Sequence, residues 1–191
     1  MEVTSLFSIP IYDHQYDEDL GDLESECIKR STLDSGRVLT NSGGWQSNNI
    51  FSNDDFFSEF TLEIEKQANN FARELEINQS LKLLNLWINI NGYKDFNLRH
   101  THANSIISGV FYVKVPDKSG KITFYHPAFK LMMREWDLNL KHNHYTSSIW
   151  GVAPRKGRLL LFPSWLEHEV SPNLSQDSRI SISFNIEGEN H

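Results

Sequence analysis

The change of hydrophobic period near residue 81 constrains this chain more than any other feature. From Leu81 onward the period is two. Leu84, Leu86, Ile88 and Ile90 alternate with Asn85, Trp87, Asn89 and Asn91, as in a strand whose two faces meet different surroundings. Ile106 to Val115 reads as a second strand, and Lys118-Ser119-Gly120 as a hairpin turn into another at Lys121 to Tyr125. Ser147 to Val152, Arg158 to Phe162, Leu166 to Val170 and Ser178 to Ile186 follow as four short strands separated by Pro, Gly and Asn. Upstream the period is helical. Asp17 to Ser31 spaces Leu20, Leu23, Cys27 and Ile28 this way. Asp54 to Leu75 does so more strongly, through Phe57, Phe60, Ile64, Ala68, Phe71, Ala72 and Leu75, with Asn53 or Asp54 placed to cap it. Helices first, at least seven strands after them and no βαβ alternation predict a mainly β fold with N-terminal helices, either closed or built of two antiparallel sheets. A single domain over 1–191 accommodates it, with helical support over about 17–75 and the β core over about 81–188.

Between these elements, Leu6 to Tyr12 contains Pro10 and reads as an edge strand or extended lead-in, an edge that could pair in a homodimer. Gly36 to Ser52 reads as a loop whose Trp45 folds back onto the core, and Gly92 to Leu98 as a turn. Pro127 to Leu140 admits a short helix bearing Met132, Met133 and Trp136. The formal net charge of -7, with Arg155, Lys156 and Arg158 as the densest basic cluster, argues against nucleic acid as a partner. The single cysteine, Cys27, excludes an internal disulfide framework and a thiolate metal site, leaving a buried structural thiol. Met1 to Leu20 lacks the pattern of a signal peptide and no apolar run approaches a membrane span, so a cytoplasmic protein without a membrane partner is expected.

The chemistry concentrates in a few polar residues. His100 and His102 are two apart, so on extended backbone both imidazoles leave one face. A polar loop with solvent-facing imidazoles accounts for such a pair equally well. His168 shares a face with Leu166 and Val170, where an imidazole is costly without a partner. Read alone it is a satisfied core histidine; the pair upstream shifts the balance toward metal binding. Arg179 shares a face with Ser181, Ser183 and Asn185. This is either the solvent side of an edge strand or a guanidinium forked onto a carboxylate, with Ser181 adding a hydroxyl. A close histidine pair, a distant histidine and an Arg-x-Ser about a strand's length beyond it suggest non-haem iron, where three facial ligands leave positions open for a co-substrate and oxygen. His126, His142 and His144 lie in an irregular segment and read as part of a lid or substrate pocket.

Four pieces taken together are more specific than any one: His100-x-His102, Ser108-Gly109-Val110-Phe111-Tyr112-Val113, Phe162-Pro163-Ser164-Trp165-Leu166-x-His168 and Arg179-Ile180-Ser181-Ile182-Ser183-Phe184-Asn185. With Leu6-Phe7-x-x-Pro10-Ile11-Tyr12 at the start, the chain resembles the 2-oxoglutarate/iron(II) oxygenases found in marine bacteria and their phages. The resemblance implies a double-stranded β-helix (jelly roll) with Fe(II), 2-oxoglutarate and oxygen as requirements. It implies hydroxylation of a small-molecule or peptide or protein substrate, with 2-oxoglutarate decarboxylated to succinate, in the host cytoplasm if phage-encoded. Carried over by position, His100 is the first metal ligand and His168 the distal one. Arg179 and Ser181 hold the distal carboxylate of 2-oxoglutarate, and Asn89 and Asn91 are candidates for its other end. The superfamily has a carboxylate where this chain has His102. The favoured metal set is therefore His100, His102 and His168. The alternative makes His102 the first ligand, with Asn104 two residues on and His100 outside the set. Two other functions stay open: a three-histidine dioxygenase without 2-oxoglutarate, and a metal-free jelly-roll binding protein.

Overall fold

The structure is a computed structural model and describes residues 4–128, 130–131 and 143–189. In chain order its elements are β1 (Tyr12–Gln15), α1 (Gly21–Ser31), β2 (Asn41–Ser42), β3 (Trp45–Gln46), α2 (Ser58–Glu74), β4 (Leu81–Asn91), β5 (Phe96–His100), β6 (Ile107–Lys114), β7 (Ile122–Tyr125), β8 (Ile149–Val152), β9 (Arg158–Pro163), β10 (His168–Val170) and β11 (Arg179–Gly188). The strands form two antiparallel sheets, one in the order β1-β9-β6-β11-β4-β3 and the other β2-β5-β10-β7-β8. The mainly β architecture with helices leading is the one the period change requires.

The long strands work because each carries two kinds of face. On β11, Ile180, Ile182, Phe184 and Ile186 are buried in the main core with Leu86 and Ile88 of β4 and Phe111 and Val113 of β6. Helix α2 closes that core with Ile64, Ala68, Phe71 and Ala72, each fully buried large side chain contributing about 1.5–3 kcal/mol. The opposite face of β11 presents Arg179, Ser181, Ser183 and Asn185 to a cavity. A smaller apolar cluster, including Val110, Tyr112 and Phe162 with Ile122 and Phe124, joins the two sheets. Within the six-stranded sheet Gly109 is required opposite Phe184, since a Cβ there would run into the Phe184 ring and the Leu160 carbonyl.

Asp54 does two jobs at the start of α2. Its Oδ1 accepts the Phe56 and Phe57 N–H groups (3.1 and 3.3 Å), and its carboxylate takes the Arg30 guanidinium of α1 (2.8 and 3.0 Å). Arg30 beside it holds that carboxyl below the usual range. Asp54 thus orders the turn that leads into α2 and ties it to α1, but it is not the expected cap: the helix begins at Ser58, with Phe57 at the N-cap and no side-chain cap hydrogen bond.

Four other sequence expectations are corrected. The turn at Lys118-Ser119-Gly120 does not make a β6–β7 hairpin; the two strands belong to different sheets. Both neighbours of β6 are taken by β9 and β11, and the turn instead backs onto the Ser171 and Pro172 carbonyls, which leave no room for a Cβ at Gly120. The edge strand starts at Tyr12, where the expected one ends, and pairs with β9 from Tyr12↔Leu161 onward. The segment at residues 36–52 contains β2 and β3, which join different sheets, so it straps the two together. Its Trp45 packs against the main core as expected, with Nε1 donating to the Asp34 carbonyl (3.2 Å). Residues 96–98, expected to turn, already belong to β5. Met132, Met133, Trp136 and His142 lie outside the described residues. Among those described, no helix is long and apolar enough to cross a membrane.

Candidate metal and co-substrate site

His168 opens β10, which pairs on one side with β5 and on the other with β7, putting His168 opposite His100 and Phe124. His100 closes β5. Beyond it the His102 N–H donates to the Ser164 carbonyl (3.0 Å), which holds the chain against the segment that precedes β10. The three imidazoles therefore converge. One ring nitrogen from each lies within 4.8 Å of the other two, and the Nε2 atoms of His102 and His168 are 3.3 Å apart.

The protonation of two rings follows from their partners. His100 Nδ1 lies 2.6 Å from the Leu98 carbonyl oxygen and His168 Nδ1 2.8 Å from that of Leu166. A carbonyl only accepts, so in both rings Nδ1 carries the proton and Nε2 turns a lone pair inward. Without a metal, His102 must then donate to His168. A cation accepting from both nitrogens satisfies them equally. With metal–nitrogen distances of about 2.1 Å, adjacent ligands lie about 3.0–3.4 Å apart, which matches the His102–His168 pair, while the His100 nitrogen lies within 4.8 Å of both. The donor set fits a first-row divalent metal.

Burial keeps these rings neutral, as ligands must be. It pushes His168 down to about 3 and His102 down to about 4, with His100 adding to both, and it lowers His100 as well. Because the ordinary imidazole value is about 6.5, the unfolded chain takes up these protons first as pH falls. Metal-free protein should hold this stability above about pH 6.5 and lose it progressively toward the folded values, at roughly 1.4 kcal/mol per pH unit for each proton. Urea midpoints measured from pH 7.5 down to 5 check this. A His168→Gln variant should show a shallower fall.

The histidines line a cavity of about 320 Å³ that also contains Arg179, Ser181, Asn89 and Tyr112. Arg179 is only 1% exposed, and among the described residues no carboxylate forms an ion pair with it. Its Nη2 donates to Asn91 Oδ1 (2.9 Å) and its Nη1 to the Ser119 carbonyl, leaving the rest of its five N–H groups for the cavity. Burial lowers its pKa, against the pull of Tyr112 and Asp95. Ser181 pairs with Asn89 across β4 and with Tyr112 across β6. Asn89 donates through Nδ2 to Ser183 Oγ (3.1 Å), and its buried Oδ1 has no partner among the described residues. Whichever way the amide is turned, one polar atom remains for the cavity. Asn91 does not line the cavity; it stands behind Arg179.

Sequence reasoning missed Tyr112 as a site residue. Burial raises its phenol to about 12 although Arg179 pulls the other way, so it is a hydrogen-bond donor at neutral pH. The available signal was a phenol on the face that Ser108 and Val110 share. Arg37 was also missed, because the strap that delivers it to the cavity was read as a loop. His126 and His144 lie apart from the histidine cluster; His126 Nδ1 accepts the Ala128 N–H (3.1 Å).

A two-sheet cavity holding three inward imidazoles and a buried arginine defines a class of metal-dependent protein, and the sequence places it within one family. Residues 85–185, over half of the chain, match the family model described as "Putative 2OG-Fe(II) oxygenase". The chain belongs to this family of 2-oxoglutarate-dependent non-haem iron oxygenases. No curated protein shows a significant sequence match. Solved structures share the fold. A Pseudomonas putida prolyl-4-hydroxylase aligns with a TM-score of 0.68 at 15% identity over 95% of this chain and 94% of that one. HygX from Streptomyces hygroscopicus, with nickel and 2-oxoglutarate bound, aligns at 0.66 and 12% over 94% and 83%. The viral collagen prolyl hydroxylase of Paramecium Bursaria Chlorella virus-1, as a 2-oxoglutarate complex, aligns at 0.60 and 13% over 92% and 94%.

Proposed function

We propose that this protein is a 2-oxoglutarate- and iron(II)-dependent dioxygenase that hydroxylates a small-molecule or peptide substrate. The observation that carries the reading is the convergence of three imidazole nitrogens in the same cavity as a buried arginine that, among the described residues, has no carboxylate partner. In this reading the two sheets form a double-stranded β-helix and the chain is a single domain. Two proteins of similar structure, a prolyl-4-hydroxylase and one holding nickel and 2-oxoglutarate, lend support.

His100, His102 and His168 would hold the iron, and the Leu98 and Leu166 carbonyls fix two of those rings in the ligating tautomer. Arg179 forks onto the distal carboxylate of 2-oxoglutarate, with Ser181 and Tyr112 beside it as hydroxyl donors and Asn91 holding the guanidinium in plane. Asn89 offers its unpaired amide atom to the other end of the co-substrate. When bound, iron(II) and 2-oxoglutarate activate oxygen, one atom entering succinate and the other the substrate. Trp87, Val110 and Phe162 wall the cavity and limit water around it.

The test is an anaerobic iron(II) titration with and without 2-oxoglutarate, following the weak visible metal-to-ligand charge-transfer band. The band is expected only with both present. Iron binding that 2-oxoglutarate leaves unchanged would favour a three-histidine enzyme without this co-substrate. Absence of metal binding would leave a metal-free binding protein.

A further inference from the structure

The chain carries 25 Asp and Glu against 18 Lys and Arg, so an acid in the lining of its cavity is the ordinary expectation. Among the described residues no acid lines it, whereas two arginines do, Arg179 and Arg37. Arg179 is accounted for by the co-substrate. Arg37 is not.

The strap over residues 36–47 delivers Arg37 by a defined route. Gly36 sits at φ +67, where a Cβ would collide with the Gln46 carbonyl and the Trp45 ring, so the approach needs glycine. The Arg37 N–H donates to the Gln46 carbonyl (2.8 Å), and its own carbonyl accepts Asn41 Nδ2 (3.3 Å). The side chain is aimed by Asn49, whose Oδ1 accepts from Nη2 (2.6 Å). Its Nε is buried without a partner, and no described carboxylate forms an ion pair with the guanidinium. The side chain is half-buried, and an Nε–H shut away from water without an acceptor is unfavourable unless a ligand completes it. The planar fork matches a carboxylate or phosphate. Charge balance agrees: iron(II) on three neutral imidazoles keeps both its charges, and the two carboxylates of 2-oxoglutarate cannot also neutralise both arginines.

We infer that Arg37, aimed by Asn49, is the specificity-determining residue of the cavity and binds an oxyanion carried by the prime substrate. What the anion belongs to rests on the oxygenase reading; where it binds does not.

The experiment uses the full chain loaded with zinc(II) and saturating 2-oxoglutarate, which binds without turnover. Two matched probe pairs are titrated by ligand-observed NMR: benzoate against benzamide for a carboxylate, and phenyl phosphate against phenol for a phosphate. In at least one pair the anion should bind about tenfold more tightly or better, as expected for charge-assisted hydrogen bonds. Arg37→Gln should erase that preference and Arg37→Lys keep part of it, with 2-oxoglutarate affinity held within about twofold. Equal binding within both pairs, a preference that survives Arg37→Gln, or no binding of any probe at millimolar concentration would overturn the inference. So would an Arg37→Gln protein with 2-oxoglutarate affinity weakened about tenfold, which would make Arg37 a co-substrate contact. If the wild type fails to bind 2-oxoglutarate, the oxygenase reading fails separately, and the anion preference is decided on the zinc protein alone.

Discussion

Replacing His168 by alanine is expected to abolish the iron(II)–2-oxoglutarate charge-transfer band and to cut 2-oxoglutarate consumption by about 10³-fold or more, at least about 4 kcal/mol of barrier. Two nitrogens would remain, and the one removed sits 3.3 Å from His102 Nε2. The substitution also strips the Leu166 carbonyl of its donor in a buried place, which costs about 1–3 kcal/mol of stability. Metal affinity is therefore read directly, beside a melting curve. His102 provides the sharper contrast. His102→Ala should lose iron, while His102→Asp restores two histidines and a carboxylate and should retain it. If His102→Ala kept iron at wild-type affinity, His102 would not be a ligand, and both the three-histidine set and the alternative led by His102 would fail.

The second large effect is expected at Arg179. In Arg179→Met the dissociation constant for 2-oxoglutarate should rise about 100-fold, near 3 kcal/mol for a bidentate charged contact in a desolvated site. Stability without ligand should change little, because two effects oppose each other. The substitution removes a buried cation but orphans Asn91 Oδ1 and the Ser119 carbonyl. Ligand-linked stability separates the two. Metal-loaded wild type should gain about 2.7 kcal/mol at 100 times its dissociation constant. The variant should gain almost nothing at the same concentration. Arg179→Lys should not rescue it, since an ammonium cannot span both oxygens. A wild-type-like melting shift in Arg179→Met would remove the anchor from its role.

The strand faces were legible because β4 and β11 alternate strongly: Ile180, Ile182 and Phe184 could only go inward once Arg179, Ser181 and Ser183 went the other way. Helix α2 was legible for the same reason. What could not be read was pairing. The turn at Gly120 announced a reversal, but which strand receives β7 is decided by its pairing with β10, beyond the reach of any local signal. Strands as short as β2 and β3 exist only through their partners, so a Gly- and Asn-rich stretch gave no sign that it would strap two sheets and carry Arg37 into the cavity. The histidines show the same divide. Their spacing suggested two rings on one strand face, but β5 ends at His100 and leaves His102 beyond it, and the meeting of His100 with His168 is a matter of register between β5 and β10. That His102 comes round to join them depends on one backbone hydrogen bond to Ser164.

Two of the rings are set by the same local device, a hydrogen bond from Nδ1 to the carbonyl two residues earlier in the chain. Such rings need not reorganise to receive a metal, and a site with little reorganisation to make has little means of refusing one. Nitrogen donors of this kind bind the later first-row metals more tightly than iron(II). Zinc, nickel and copper would then compete for the same three atoms with the advantage, and which of them is inserted is decided by the supply of metals around the protein as it folds. Activity of a purified sample would accordingly report the metal history of its expression as much as the competence of its residues.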